Sequence, residues 1–256
     1  AKSNEERKTL AKTIRGVEKK PLPFMLCMTN RILHGIDTPS RIKLDNTLSK
    51  PYRDYGEKDR VHCIITNPPF GGMEEDGIEQ NFPAGLRTRE TADLFIAVII
   101  KLLKKHGRAA VVLPDGFLFG EGTKTRLKES LLTECNLHTI VRLPNGVFNP
   151  YTGIKTNILF FTKGEPTKDV WFYEHPYPEG VKNYNKSKPM QFEEFQPEID
   201  WWGDEADGFK AREETDQAWK RSVDYFEQRG FNFDDKNPFE AAKANHDPDK
   251  LLEEYQ

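Results

Sequence analysis

The stretch Val61-His62-Cys63-Ile64-Ile65-Thr66-Asn67-Pro68-Pro69-Phe70 decides the expected fold of this 256-residue chain. Its first six residues form a short, largely β-branched run, which predicts a buried strand. The two prolines that follow end strand pairing and fix the backbone as a turn. The strand therefore delivers an amide side chain and an aromatic ring to its carboxyl end, the edge at which open α/β sheets bind their ligands.

The turn at residues 67–70 has the groups needed to hold a planar ring that carries an amino group. The Asn67 side-chain oxygen and the Pro68 carbonyl can both accept hydrogen bonds from that group, while Phe70 stacks on the ring. A purine amino group is a poor nucleophile because its lone pair is delocalised, and two fixed acceptors localise that pair. Positioning and electrostatics then supply most of the catalysis. Taken alone, Asn67-Pro68-Pro69-Phe70 fits an ordinary turn after a strand equally well.

Two acidic residues stand just past earlier strand candidates. Residues 13–17 close on Glu18, and residues 41–44 close on Asp45. A carboxylate at such a position can accept two ribose hydroxyls, and a second can accept the amino group of an adenine. The alternative is a pair of solvent-exposed turn acids, which is the commoner situation of charged residues.

The rest of the chain alternates helices and strands. Helices are predicted at residues 24–35, 91–105, 123–132 and 211–229, and strands at residues 108–113, 137–143, 154–162 and 170–174. We expect Thr91 to cap the second of these helices and Gly107 to stop it. This order predicts an α/β fold with a mostly parallel sheet and helices on both faces. Residues 71–89 form a long connection that is either functional or disordered.

Composition excludes several classes of protein. Three widely spaced cysteines predict neither a disulfide framework nor a zinc cluster, and with no secretory leader or bilayer-spanning run we expect a cytoplasmic protein with no metal. From residue 191 onward there are 19 acidic and 8 basic residues, which leaves 22 acidic and 30 basic residues before it. The first part, with a net charge of +8, can face phosphates, although ordinary solvated faces explain so mild a bias as well.

In this order of elements the chain resembles an N6-adenine DNA methyltransferase, and more narrowly the modification subunit of type I restriction-modification systems. The stretches that carry the resemblance are Gly16-Val17-Glu18-Lys19-Lys20-Pro21, Asp45-Asn46-Thr47-Leu48, residues 66–72, Glu90-Thr91-Ala92-Asp93-Leu94-Phe95, residues 107–119, Arg142-Leu143-Pro144-Asn145-Gly146-Val147-Phe148, Lys155-Thr156-Asn157-Ile158-Leu159-Phe160-Phe161 and Lys236-Asn237-Pro238. The four-residue motif alone is moderately specific, whereas the ordered set is highly specific.

The resemblance implies a Rossmann-like fold and S-adenosylmethionine as the methyl donor. It places Glu18 on the ribose hydroxyls and Asp45 near the cofactor adenine. A target adenine that has left the duplex would be held by Asn67 and Pro68 and stacked on Phe70. The implied partners are duplex DNA, a specificity subunit, a second modification subunit and a separate motor subunit that cuts unmodified DNA. No membrane is involved.

One departure from the family pattern affects the expected activity. The family has a glycine-rich loop upstream of the ribose-binding acid, but residues 1–15 contain no glycine and Ala1 is not an initiator Met. We therefore expect a fragment that lacks the first strand and the amino-terminal helical domain. It would comprise a partial catalytic domain at residues 1–175 and a subunit-contact tail at residues 176–256. Alone, it would bind the cofactor poorly and methylate no DNA.

Two other functions stay open. A similar Asn-Pro-Pro-aromatic turn serves methyltransferases that act on other planar nitrogens, such as a guanine amino group in RNA or a glutamine side chain in a protein. A chain that works only as an assembly module would instead carry Asn67-Pro68-Pro69-Phe70 as a relic. The DNA-adenine interpretation is favoured because the acceptor pair, the stacking ring and the two strand-end acids occur together.

Overall fold

The computed structural model describes residues 3–36 and 41–239. The helices are α1 (Asn4–Thr13), α2 (Pro21–Leu33), α3 (Thr91–Leu102), α4 (Asp115–Phe119), α5 (Thr123–Thr133), α6 (Gln196–Trp201) and α7 (Val223–Gln228). The strands are β1 (Gly16–Glu18), β2 (Ile42–Leu44), β3 (Val61–Thr66), β4 (Leu103–Pro114), β5 (Cys135–Arg142), β6 (Thr156–Lys163), β7 (Asp169–Glu174) and β8 (Ala218–Ser222). Each of these helices is too short or too polar to cross a lipid bilayer.

The strands form two separate sheets. The larger has the order β3-β4-β6-β5-β7-β8, and the smaller pairs β1 with β2 in parallel. In the larger sheet β3, β4, β5 and β7 run in one direction, while β6 and β8 run antiparallel to their neighbours. The prediction of a mostly parallel sheet is therefore confirmed for strand direction.

Both faces of the larger sheet are covered. Along β5, Ile140 belongs to one buried cluster and the next residue, Val141, to another, as the two-residue period of a strand requires. Leu127 of α5 and Phe226 of α7 pack in the larger cluster, and Trp201 of α6 covers the smaller one. Helices thus lie on both faces, as predicted.

The strand that carries the motif is not buried, which corrects one expectation. Among the described residues, β3 pairs with β4 alone and forms the edge of the larger sheet. His62 and Cys63 are exposed, and Ile65 is 82% exposed. A short apolar run looks the same in sequence whether a strand has one neighbour or two, so its burial could not be derived from composition.

The predicted end of the helix at residues 91–105 is also wrong. α3 ends at Leu102 and passes directly into β4, where a register shift opposite Val61 takes up the extra residues. Gly107 lies inside this irregular part of the strand. A Cβ atom there would approach the Lys104 carbonyl oxygen to 2.9 Å and the Val61 carbonyl oxygen to 3.1 Å, so Gly107 permits close strand contact and does not stop the helix.

The segment after residue 175 contributes to the core of the sheet. The single helix predicted at residues 211–229 is wrong, since its middle forms β8, which pairs with β7. Trp219 of β8 is fully buried and stacks on Phe172, with ring centroids 5.3 Å apart and planes 7° apart. Its Nε1 donates a 2.8 Å hydrogen bond to Asp235. Contact of residues 176–256 with other subunits stays a prediction.

Candidate active site

The motif lies at the carboxyl end of β3. Asn67 and Pro69 are exposed, Pro68 is buried, and Phe70 is half-buried. The Phe70 ring meets the Phe148 ring edge to face, with centroids 5.3 Å apart and planes at 71°. The amide is therefore open to solvent, and an aromatic pair is already built beside it.

Gly72, two residues after the motif, holds the loop against α3. The Gly72 carbonyl oxygen accepts hydrogen bonds from the backbone N–H and the hydroxyl of Thr91, both at 3.0 Å. A Cβ atom on Gly72 would lie 3.3 Å from the Thr91 Oγ1 atom, so the glycine permits this close approach. The predicted capping role of Thr91 is wrong, because the helix is preceded by Glu90, and Thr91 instead anchors the loop.

Glu74 connects the motif loop to the amino-terminal strands. Its buried carboxylate accepts hydrogen bonds from Lys19 Nζ (3.1 Å), Asn46 Nδ2 (3.2 Å) and Thr91 Oγ1 (3.3 Å). Hydrogen bonds to Glu75 and Glu74 raise the pKa of Lys19, so this ammonium group stays charged. Lys19 follows Glu18 and Asn46 follows Asp45, so one carboxylate links both predicted cofactor acids to the loop after the motif.

Glu18 and Asp45 lie side by side at the ends of the paired strands β1 and β2. The Asp45 backbone N–H donates a 3.0 Å hydrogen bond to the Glu18 carbonyl oxygen. One carboxylate oxygen of Glu18 accepts from the Lys20 backbone N–H, and one of Asp45 accepts from the Asn46 backbone N–H, both at 2.8 Å. These bonds fix the orientation of both carboxylates, and the described residues leave the second oxygen of each for a ligand.

A cleft of about 430 Å³ opens directly after the motif. Its walls include Gly71, Glu90, Asp93, Gly116, Lys124 and Ile154. That volume is in the range of small-molecule sites. Asn67 and Phe70 do not line it themselves, so the cleft extends the site on the side of α3 and β4.

The cleft wall carries a compact ion cluster. Lys124 Nζ lies 2.9 Å from the buried Asp93 carboxylate and 2.5 Å from that of Glu90. Burial raises the pKa of Asp93 despite the attraction of Lys124. Burial opposes the charge on Lys124, but its hydrogen bonds to the two acids outweigh this and raise its pKa. Lys124 is therefore a charged group held in place at the wall.

Sequence reasoning missed four residues that shape this site. Glu74, Phe148, Asp93 and Lys124 meet their partners across 17 to 78 positions of sequence, a separation that local periodicity does not register. Phe148 and Asp93 do lie in stretches that carry the family resemblance. Their place in these stretches could have identified Phe148 and Asp93 from the sequence. Glu74 and Lys124 lie outside these stretches, and nothing in the sequence marked them.

The sheet with helices on both faces and the polar turn at the carboxyl end of β3 fit the class of α/β methyltransferases. The chain superposes on the EcoKI M protein with a TM-score of 0.71 over 94% of its residues, at 29% identity. Within that class the chain belongs to the N-6 DNA methylase family, whose model matches residues 1–247.

The relatives share one description. The methylase subunit of the type I restriction enzyme EcoEI from Escherichia coli is 66% identical over 255 residues, which cover 100% of this chain and 52% of that protein. A protein from Vibrio vulnificus YJ016, solved as a modification subunit of a type I restriction enzyme, has a TM-score of 0.84 at 45% identity, with 93% of this chain and 51% of that one covered. The chain spans about half the length of these relatives.

Proposed function

We propose that this chain is the catalytic part of a type I modification subunit that methylates N6 of adenine in DNA. The observation that carries the proposal is the exposed Asn67 amide at the carboxyl end of β3, next to the edge-to-face pair of Phe70 and Phe148. The family match and the type I relatives support the same assignment.

The motif would act on an adenine that has left the duplex. The Asn67 side-chain oxygen and the Pro68 carbonyl would accept hydrogen bonds from the N6 hydrogens, which shifts electron density onto that nitrogen as it becomes cationic during methyl transfer. Phe70 would stack on the purine, and Phe148 would hold the Phe70 ring in orientation. The excess proton leaves N6 after the transfer and requires no strong base, because a protonated aromatic amine is acidic.

The two strand-end acids fit the expected cofactor. Within the described part of the chain, Glu18 and Asp45 each keep one carboxylate oxygen free, which matches the ribose hydroxyls and the adenine amino group of S-adenosylmethionine. When bound, this cofactor supplies a methyl group on a sulfonium sulfur, which keeps the bonding electrons as the methyl is transferred. Glu74 would position both acids through Lys19 and Asn46.

The complete enzyme requires more than this chain. Since the chain spans about half of its relatives, we propose that cofactor binding needs the rest of the subunit. A specificity subunit would select the DNA sequence, a second modification subunit would complete the methylase, and a motor subunit would cut unmodified DNA. The complex would act in the cytoplasm, where its DNA substrate lies.

The decisive experiment replaces the amide that carries the proposal. Asn67→Ala in the full-length subunit, assembled with its partners, should lower DNA methylation by about 10²- to 10³-fold, the usual cost of removing one preorganised hydrogen-bonding group from an active site. Nucleoside analysis of duplex DNA measures the product. Asn30→Ala, at an exposed position of α2, is the matched control and should retain wild-type activity.

Each rival function has its own outcome in that experiment. Unchanged methylation by Asn67→Ala with intact partner binding would favour an assembly module. A wild-type product other than N6-methyladenine would favour a methyltransferase for another planar nitrogen. Separately, calorimetry on the isolated chain should show no micromolar binding of S-adenosylmethionine, and micromolar binding would contradict the need for the rest of the subunit.

A further inference from the structure

An exposed tyrosine stands at the outer end of the connection between β5 and β6. Tyr151 is 91% exposed, more than any other large hydrophobic side chain in the part of the chain that the structure describes. The connection spans residues 143–155 and includes Phe148, the ring that contacts Phe70, and Ile154, which lines the cleft. Tyr151 therefore lies between two residues of the candidate active site.

The loop has a defined conformation. The backbone N–H groups of Tyr151 and Thr152 both donate to the Phe148 carbonyl oxygen, at 2.8 and 3.1 Å. The Asn149 side chain donates a 3.1 Å hydrogen bond to the carbonyl oxygen of Tyr184, whose side chain is buried. A Cβ atom at Gly146, where φ is +79°, would lie 3.0 Å from that same carbonyl oxygen, so the start of the loop packs directly on this support.

Other exposed apolar side chains lie at or next in sequence to residues of the cleft wall. Met73 follows the motif by three residues, and Phe119 lies between two glycines of the cleft wall; both are exposed, as is Ile154. A Cβ atom on Gly71 would touch the Ile154 Cδ1 atom at 3.9 Å, so the Tyr151 loop and the motif loop meet at this rim. Exposed apolar groups gathered around one opening indicate a surface that is covered during function.

We propose that Tyr151 enters the DNA base stack and fills the space that the target adenine leaves. This inference rests on the proposed function, because it requires a base to leave the duplex. A duplex that delivers an adenine to Phe70 must pass close to this loop, because Phe148 of the loop contacts Phe70 and Ile154 lies beside Gly71. A flat aromatic ring on a fixed loop can stack between neighbouring bases at little further cost in conformational entropy.

The chemistry of the side chain suits this role. Extruding a base costs stacking and pairing energy, and an inserted side chain recovers part of the stacking. The ring supplies that contact whatever the neighbouring sequence, since every base has an aromatic face. This tolerance agrees with a subunit whose target sequence is selected by another protein.

The test uses the full-length methylase complex and two duplexes that carry its target site with the target adenine unmethylated. In one the target adenine pairs with thymine, and in the other it faces an abasic position and is already unpaired. Tyr151→Ala should lower kcat/KM on the paired duplex by about ten- to hundredfold, as expected for one lost base–aromatic stack. On the unpaired duplex the loss should be several-fold smaller. With 2-aminopurine at the target position, the variant should also show a weaker fluorescence increase on binding.

Three comparisons keep the result interpretable. Tyr151→Phe retains the ring and should restore most of the activity. Phe192→Ala removes a ring of similar exposure (75%) that contacts Phe195 and not the motif, and it should leave both reactions unchanged. Because Tyr151 is exposed, its replacement should leave the unfolding temperature unaltered.

The outcomes separate this inference from the proposed function. Wild-type activity of Tyr151→Ala on the paired duplex, or equal loss on both duplexes, would overturn the role of Tyr151 and leave the proposed function standing. A wild-type complex that forms no N6-methyladenine would overturn both.

Discussion

The amino-terminal region, residues 3–44, and the sheet body, residues 61–235, differ sharply in how much apolar surface they bury. In the body, fully buried aromatic rings such as Trp219, Phe172 and Phe226 pack into one continuous cluster. In the described part of the amino-terminal region, only Ala11, Arg31 and Ile42 are buried. The outer face of α2 leaves large apolar residues exposed, namely Leu22, Met25, Leu26, Ile32 and Leu33.

The difference separates the two halves of the proposed active site. The groups proposed to bind adenine belong to the body, which has its own core. Glu18 and Asp45 lie at the end of a two-stranded sheet, and Glu74 links that sheet to the body. A two-stranded sheet is marginally stable in water. We therefore expect the base-binding half to be formed in this chain and the cofactor-binding half to depend on further contacts.

The largest expected effect is on the body. Trp219→Ala should lower the free energy of unfolding by about 3–5 kcal/mol, since it removes a buried ring and leaves the Asp235 carboxylate without its indole donor. Chemical denaturation followed by circular dichroism measures the change. A cost below about 1 kcal/mol would show that β8 does not belong to the stable core.

The next largest effect is a fall in the unfolding free energy of the sheet body at acid pH. Burial, together with the charges of Arg212 and Arg108, lowers the pKa of His138 from 6.5 to about 3. The unfolded state therefore binds the proton first, so this contribution to stability is complete above pH 6.5 and is lost as the pH falls towards 3. At pH 5 the loss is about 2 kcal/mol.

A variant tests this assignment. His138→Gln should show a shallower fall in unfolding free energy than the wild type between pH 6.5 and 4. Parallel curves for the two proteins would exclude His138 as the titrating group, because other acid-sensitive groups contribute equally to both.

A smaller effect should appear at the junction of the two regions. Glu74→Gln weakens the contacts to Lys19 and Asn46 and should cost about 1 kcal/mol. Hydrogen exchange should speed up in β1 and β2 while the body keeps its protection. Glu75→Gln is the matched control, because this exposed neighbour contacts the same Lys19 from solvent. Equal acceleration by both variants would contradict the central role of Glu74.

The smallest effect should be on the outer face of α2. Leu26 is 63% exposed, so Leu26→Ala should change the unfolding free energy of the isolated chain by less than about 0.5 kcal/mol. A cost comparable with that of Trp219→Ala would mean that α2 is packed in solution, and the contrast between the two regions would then disappear.

Hydrophobic periodicity predicted the positions of helices and strands better than it predicted their burial and pairing. The strands at Val61–Thr66 and Asp169–Glu174 and the helix at Thr123–Thr133 were predicted within about two residues, because each combines a clear pattern with a breaker at its end. The exposed edge of β3 and the strand hidden in the predicted tail helix were not, since both depend on distant partners.

In the candidate site, too, local features were predicted and contacts with distant residues were not. Glu18, Asp45 and the Asn67 turn were predicted from strand ends, which are visible in the sequence. The hydrogen bonds that hold these residues in place are not visible in the sequence. Glu74 accepts a hydrogen bond from Lys19, which is 55 positions away, and no local pattern marks this pair. Long-range electrostatic contacts of this kind are set by the folded backbone.

The open edge of β3 has a consequence for how firmly Asn67 is held. The outer side of Val61–Thr66 has no neighbouring strand in the described residues, and the same strand ends in Asn67. A chain segment that paired with this edge would also hold the Asn67 side chain in position. In the proposed function, pairing at this edge would then also determine how firmly the adenine amino group is held.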